Sequence, residues 1–243
     1  MKRPWVKLLT MLVGILVLAA AFGFLWVRRE YAKMESDDPG VWEPVIADFE
    51  AEDRSSPVPR QAVLFVGSSS IRFWNSLAED MHPVPVIRRG FGGAKLQDVS
   101  FYADRIIFPY RPKAIVLFAG SNDISGRPND KTPEQVAGAF RRLAEQIRHR
   151  LPDTPLYYLA ITPTRSRWEV WPKVQRANRL IERYCRTQQH LFFIDTTRYF
   201  LTKEGRPNED LLWWDGTHLN RDGYAIWTRI LKARLLKEIY GQP

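Results

Sequence analysis

"AVLFVGSSSIRFW", residues 62–74, decides how this chain is read. Its first five residues are apolar without alternation, the pattern of a strand buried on both faces. The run stops at a glycine followed by three serines. Serine is common in turns, and a polar turn would account for it here. A hydroxyl-rich loop at the end of a buried strand also places candidate nucleophiles where α/β sheets bind ligands. The residues alone leave Ser68, Ser69 and Ser70 open as the nucleophile.

Outward from this stretch, four more short apolar runs read as strands: "VPVIR" (84–88), "AIVLF" (114–118), "LYYLAI" (156–161) and "LFFI" (191–194). Helical patterns separate them. One starts at Pro133 with Thr132 as N-cap and Gln135 closing a capping box. Its apolar positions Val136, Phe140, Leu143, Ile147 and Leu151 keep a helical period. The last helix, from about Asp222 to Ile239, places Tyr224, Trp227, Ile230, Leu231 and Leu235 on one side. This alternation predicts an α/β fold, a three-layer sandwich around a mainly parallel five-stranded sheet. Its chemistry belongs at the carboxyl ends of the strands.

Four loops there carry unusual residues: "GSSS" (67–70), "RGFGG" (89–93), "AGSND" (119–123) and, near the end of the chain, "WWDGTHLN" (213–220). Asp215 and His218 stand three apart, a spacing that puts both side chains on one side of a turn. A carboxylate so placed fixes the imidazole tautomer and supports the imidazolium formed during proton transfer. Among the four histidines, only His218 has this setting; His149 falls in a charged helix, and His82 and His190 adjoin strand starts. Asn122 offers an amide donor, and the glycines of 89–93 offer backbone N–H groups, as a developing oxyanion requires. Each feature alone is a turn former; together they make a coherent set for acyl transfer.

Other chemistries fail on spacing. No phosphate-binding G-x-x-x-x-G-K-[ST] string is present, and a dinucleotide fingerprint begun at Gly90 would need glycine where Lys95 stands. The G-x-S-x-G elbow fails at Ile71. The single cysteine, Cys185, shares a helical face with Val174, Ala177, Ile181 and Tyr184, which reads as a buried structural thiol. One cysteine and scattered histidines predict no metal site, and no cofactor is implied. Five of the nine net positive charges lie in residues 1–29, leaving +4 on the remainder, too little to argue for nucleic acid.

Residues 8–27, "LLTMLVGILVLAAAFGFLWV", form an uncharged, mostly apolar run of 20. As a helix it spans roughly 30 Å, the thickness of a bilayer core. Trp26 and the flanking charges suit an uncleaved anchor, so residues 1–29 are expected to be a transmembrane signal-anchor. The competing reading is a signal peptide cleaved near Ala21. Lys2, Arg3 and Lys7 slightly outweigh Arg28, Arg29 and Lys33 offset by Glu30, which puts the main domain outside the cytoplasm. Residues 30–60 are expected to be a spacer. Its amphipathic piece, with Trp42, Val45, Ile46 and Phe49, packs on the domain of residues 61–243, while "DRSSPVPR" (53–60) links.

Taken in order, these blocks resemble the SGNH/GDSL hydrolases, whose Ser, Gly, Asn and His stand in separate blocks. Gly67-Ser68-Ser69 takes the place of Gly-Asp-Ser, "RGFGG" is similar to the second block, "GSND" to the third, and "DGTHLN" to the block with Asp-x-x-His. The resemblance covers roughly residues 61–236 and implies the family's flavodoxin-like fold. It also implies Ser69 as nucleophile, His218 as base and Asp215 as its carboxylate. The oxyanion would be held by the Ser69 N–H, by Gly93 in preference to Gly92, and by the Asn122 side chain. Ser68 replaces the aspartate that gives GDSL its name; in the family that residue is not the catalytic acid. The implied activity is hydrolysis of acyl esters of carbohydrates or lipids. An O-acyltransferase, with a sugar hydroxyl replacing water, and an inactive carbohydrate-binding module are the alternatives. Trp214 beside the Asp-His pair and Trp168 in "SRWEVW" (166–171) are candidate substrate contacts.

Overall fold

In the computed structural model, which describes residues 4–241, each of the five apolar runs is a parallel strand of one sheet. They are β1 (Val63–Gly67), β2 (Val86–Gly90), β3 (Ala114–Phe118), β4 (Leu156–Leu159) and β5 (Leu191–Ile194). The described residues fall into two compact units that divide between Val41 and Trp42. The first holds helix α1 (Pro4–Glu35), a segment of which, Leu8–Glu35, is long and apolar enough to cross a membrane. Lys2, Arg3 and the side chains of Lys7 and Trp26, on which the expected orientation and anchoring rest, lie outside the described residues.

The second unit contains the sheet and helices α2 (Glu43–Ser55), α3 (Ser69–Arg72), α4 (Leu77–Met81), α5 (Leu96–Phe101), α6 (Ala103–Ile106), α7 (Pro133–Arg150), α8 (Trp171–Arg186) and α9 (Arg221–Tyr240). Strand side chains alternate between faces. Val63, Phe65, Val116, Phe118, Tyr157 and Leu159 share one core with Trp74, Tyr224, Trp227, Leu231 and Leu235 from the α3–α4 segment and α9. Leu64, Val66, Ile115, Leu117 and Tyr158 are buried on the opposite face, where the α7 ring of Phe140 meets Tyr158 at 4.7 Å. Burying each such side chain contributes about 1.5–3 kcal/mol. The α7 cap is the expected box: Gln135 N–H donates to Thr132 Oγ1 at 3.2 Å, and Thr132 N–H donates to Gln135 Oε1 at 2.8 Å.

Strand order β2-β1-β3-β4-β5 makes the chain reverse its direction of growth at β1, leaving a crevice between the ends of β1 and β3. Register aligns those ends. Gly67 pairs with Gly90 on one side and Phe118 on the other, so the loops after β1, β2 and β3 leave the sheet at one level.

Several boundaries differ from the sequence reading: β1 and α9 by one residue at each end, and Asp53–Ser55, expected in the linker, close helix α2. β2 is shifted by two residues, starting at Val86 and running on through Arg89 and Gly90; Arg89 is buried, and its pairing with Asp53 of α2 lets a charged residue continue the strand. β4 ends at Leu159 because Asn178 of α8 takes over the backbone of Ile161, bonding its N–H and its carbonyl at 3.0 Å each. α7 stops at Arg150, leaving Leu151 as its half-buried C-cap. Ile230 is half-buried rather than in the core.

Helix α2 carries contacts that its apolar pattern did not announce. Trp42 and Ile46 are buried as expected, with Val45 and Phe49 half-buried. In addition Arg105 of α6 bonds both oxygens of Glu43 (2.8 and 2.7 Å) and both of Glu50 (2.7 and 2.9 Å). Arg89 of β2 and Tyr110 both bond Asp53, the tyrosine at 2.6 Å. Charge, as well as the apolar stripe, holds this helix to the sheet domain.

Candidate active site

Gly67 ends β1 at φ +141°, and a Cβ there would lie 2.0 Å from the Phe118 carbonyl oxygen, so only glycine fits. The chain then turns sharply into α3. Ser68 is fully buried, its N–H donates to Phe118 O at 2.9 Å, and its hydroxyl has no partner. Ser70 is also buried, and its carbonyl accepts from the Tyr224 hydroxyl of α9 at 2.8 Å. The loop is therefore braced through backbone groups, without the Ser68 side chain. Only Ser69, half-exposed, turns its hydroxyl to a base: its Oγ lies 2.9 Å from His218 Nε2.

His218 and Asp215 sit in a turn between Trp213 and Asn220. Trp213 N–H donates to His218 O at 2.7 Å and closes it. Asp215 Oδ1 accepts the backbone N–H groups of Thr217 (2.8 Å) and His218 (3.0 Å), while Oδ2 faces His218 Nδ1 at 2.6 Å. A carboxylate only accepts, so the ring hydrogen sits on Nδ1 and the Nε2 lone pair faces the serine hydroxyl. Partial burial pushes the Asp215 pKa up, but the His218 ring and the two N–H groups outweigh it and hold the carboxyl below its ordinary value. Phe73 sets its edge against His218, with ring centroids 4.9 Å apart at 87°. The turn is docked on the loop after β4: Ser166 N–H donates to Gly216 O at 3.0 Å, and Arg165 donates to Trp214 O at 2.8 Å.

Asn122, after β3, is buried; its Nδ2 donates to Ala94 O at 3.1 Å and its Oδ1 accepts from Arg167 at 2.9 Å. That first bond ties it to the loop after β2, where Gly93 is buried with φ +77° and Gly92 is half-buried. Asp123 is buried too, and desolvation raises its pKa to about 7, opposed by the Leu96 N–H it accepts at 3.2 Å.

A narrow cavity of about 20 Å³ opens beside Ser69, walled by Phe118, Ile124, Thr162, Thr164, Arg167 and Trp171. Trp214 is 91% exposed, whereas Trp168 is half-buried, stacked 6.1 Å from Trp171 under the Arg206 guanidinium. Arg167, Thr162, Thr164 and Phe73 were missed by the sequence reading. "SRWEVW" flagged the tryptophans around Arg167, and nothing local distinguishes that arginine from its charged neighbours. Among the described residues no group of three or more His, Cys, Asp or Glu is placed to hold a metal ion.

With this geometry in view, the profile of the GDSL-like Lipase/Acylhydrolase family matches residues 63–226. The chain belongs to that family. It is a GDSL-type hydrolase of ester bonds, and the matched span runs from β1 into α9. Solved structures share the fold at low identity. A Streptococcus pneumoniae protein, provisionally described as a platelet activating factor, is 19% identical with a TM-score of 0.71, over 90% of this chain and 99% of its own. A GDSL-like lipase from Bacteroides thetaiotaomicron is 19% identical at 0.66, over 79% and 97%. A carbohydrate esterase family 3 enzyme from Talaromyces cellulolyticus is 16% identical at 0.59, over 75% and 99%. No curated protein matches this GDSL-type chain by sequence.

Proposed function

We propose that this GDSL-type protein is a serine ester hydrolase acting through Ser69, His218 and Asp215 on esters with a short acyl group. The hydrogen-bonded chain from Ser69 Oγ through the imidazole to the Asp215 carboxylate carries the reading. Ser69 Oγ attacks the ester carbonyl carbon as its proton passes to His218 Nε2. The imidazolium is stabilised by Asp215, which stays ionised because its pKa is held low. The carbonyl oxygen becomes an oxyanion, for which the donors are the Ser69 N–H, the Gly93 N–H and one Nδ2 hydrogen of Asn122. Collapse expels the alcohol, which takes the proton from His218. Water, deprotonated by the same imidazole, then attacks the acyl-enzyme and releases the acid and Ser69.

Room of about 20 Å³ beside Ser69 accommodates one or two water-sized groups, which favours acetyl-sized acyl chains over long ones. Largely exposed and next to Asp215, Trp214 offers a flat apolar face for the alcohol part, such as a sugar ring; Trp168, held in its stack, offers less. The esterase named among the similar folds acts on carbohydrate, in keeping with this. Residues 1–29 are read as a membrane anchor and 30–60 as a spacer whose helix α2 packs on the hydrolase domain of 61–243, placed outside the cytoplasm. An intact N-terminus on chains in the membrane fraction supports the anchor; a mature chain beginning after Ala21 would make it a cleaved leader.

The deciding experiment is labelling of the full chain with a fluorophosphonate, followed by peptide mapping. An adduct on Ser69 that is lost in His218→Ala is the expected result. An adduct on Ser68 or Ser70, or none, would overturn the assignment.

A further inference from the structure

Arg167 lies in the 3₁₀ turn Arg165–Val170 that follows β4, half-buried at the cavity beside Ser69. Its neighbour Arg165 is paired with Glu209 at 2.8 Å, as a surface arginine commonly is. Arg167 instead spends its hydrogens on one loop of the site. Nη1 donates to the Ser121 carbonyl, and Nη2 donates to Asn122 Oδ1 at 2.9 Å. From the other side, Asn122 Nδ2 donates to Ala94 O at 3.1 Å.

These two contacts leave the carboxamide one orientation. A guanidinium only donates and a peptide carbonyl only accepts. An inverted Asn122 would set N–H against N–H at Arg167 and oxygen against oxygen at Ala94. In the observed orientation one Nδ2 hydrogen is taken by Ala94 and the second is left for another acceptor. Without the guanidinium, the amide would keep a single fixed contact and could turn about its last bond. A cation on the amide oxygen also draws electron density from the nitrogen, so the remaining N–H donates more strongly. The guanidinium is charged at neutral pH: burial lowers its pKa, Arg127 adds to that, and it still stands at about 10.

We propose that Arg167 is a positioning residue for the oxyanion donor, locking and polarising the Asn122 amide so that its free N–H meets the acyl oxygen. This rests on the ester-hydrolase reading above. Arg167 acts through Asn122 and does not itself hold the substrate.

The test is a double-mutant cycle on the full chain, with p-nitrophenyl acetate as the probe substrate. Loss of a whole oxyanion donor costs about 10²–10³ in kcat, and mispositioning one should cost a share of that, about 10–100-fold. Arg167→Gln should therefore lower kcat and kcat/KM together, the signature of an interaction made in the transition state. In an Asn122→Ala background the same change should cost less than about threefold, because the group it positions is gone. Arg167→Lys keeps the charge without the fork and should fall between wild type and Arg167→Gln. It carries the cycle if the glutamine variant does not fold.

Equal losses from the Arg167 change in both backgrounds would overturn the inference, since Arg167 would then act independently of Asn122. So would unchanged kinetics, or a loss of kcat/KM with kcat retained, which would make Arg167 a substrate-binding group. Wild-type turnover that survives Ser69→Ala would overturn the ester-hydrolase reading and this inference together. The other outcomes touch Arg167 alone.

Discussion

Ser69, His218 and Asp215 are joined by two direct side-chain hydrogen bonds, 2.9 and 2.6 Å, and two of the three lie within one turn. Asn122 is held differently, between a backbone carbonyl after β2 and a guanidinium after β4. On the function proposed above, the first arrangement is serial: each group would work through the next, so that cutting one link disables the chain. On that reading the second would be parallel, with several donors sharing one oxyanion, so that losing one leaves the others. Serial and parallel construction predict different responses to mutation, and that difference can be measured.

Ser69→Ala should have the largest effect, a fall in kcat on the order of 10⁴–10⁶, because the attacking atom is removed. Asp215→Asn comes next at about 10³–10⁴: the amide can donate to Nδ1 and favour the wrong tautomer. Asn122→Ala should retain more activity, losing about 10²–10³. Steady-state kinetics on one short-chain ester ranks the three. If Asn122→Ala matched Ser69→Ala, the oxyanion side would be serial too, and the contrast would fail.

The smallest effect concerns stability rather than rate and lies beside Asn122. Asp123 has a folded-state pKa of about 7 against 3.8 for the free group, chiefly from desolvation. The folded protein thus holds this proton more tightly than the unfolded chain. Its contribution to stability is greatest below the unfolded value and declines as pH rises towards 7, then levels. Asp123→Asn keeps an oxygen for the Leu96 N–H and cannot ionise. Urea midpoints compared at pH 5 and pH 8 should show the wild type losing more ground than the variant. Parallel behaviour at the two pH values would mean that Asp123 does not titrate as its burial implies.

Much of the fold was legible in the chain because its signals are local. Five apolar runs, each too short for a buried helix and separated by helical patterns, specify a parallel α/β sheet. β3 and β5 fall on the residues the runs mark, and the Thr132 box closes as its residue types require. Asp215 and His218 were legible as a pair for the same reason, since three residues of one turn fix their distance. Long-range pairing with Asp53 and capping by Asn178 accompany the shifted ends of β2 and β4, and neither is written in those segments.

What tertiary structure decided is what depends on partners distant in sequence. Three consecutive serines are chemically alike; the family resemblance pointed to Ser69, and in the structure it is direction that tells them apart. Gly67 turns the chain so that Ser68 and Ser70 are buried while Ser69 meets an imidazole 149 residues away. Helix α2 showed its apolar stripe in the sequence but not its clasp, because Arg105 lies 62 residues from Glu43. Arg167 was invisible as anything but a charge, since its meaning is an amide oxygen 45 residues earlier. Periodicity and turn chemistry determine which elements form; the convergence of a parallel sheet's strand ends determines which side chains meet.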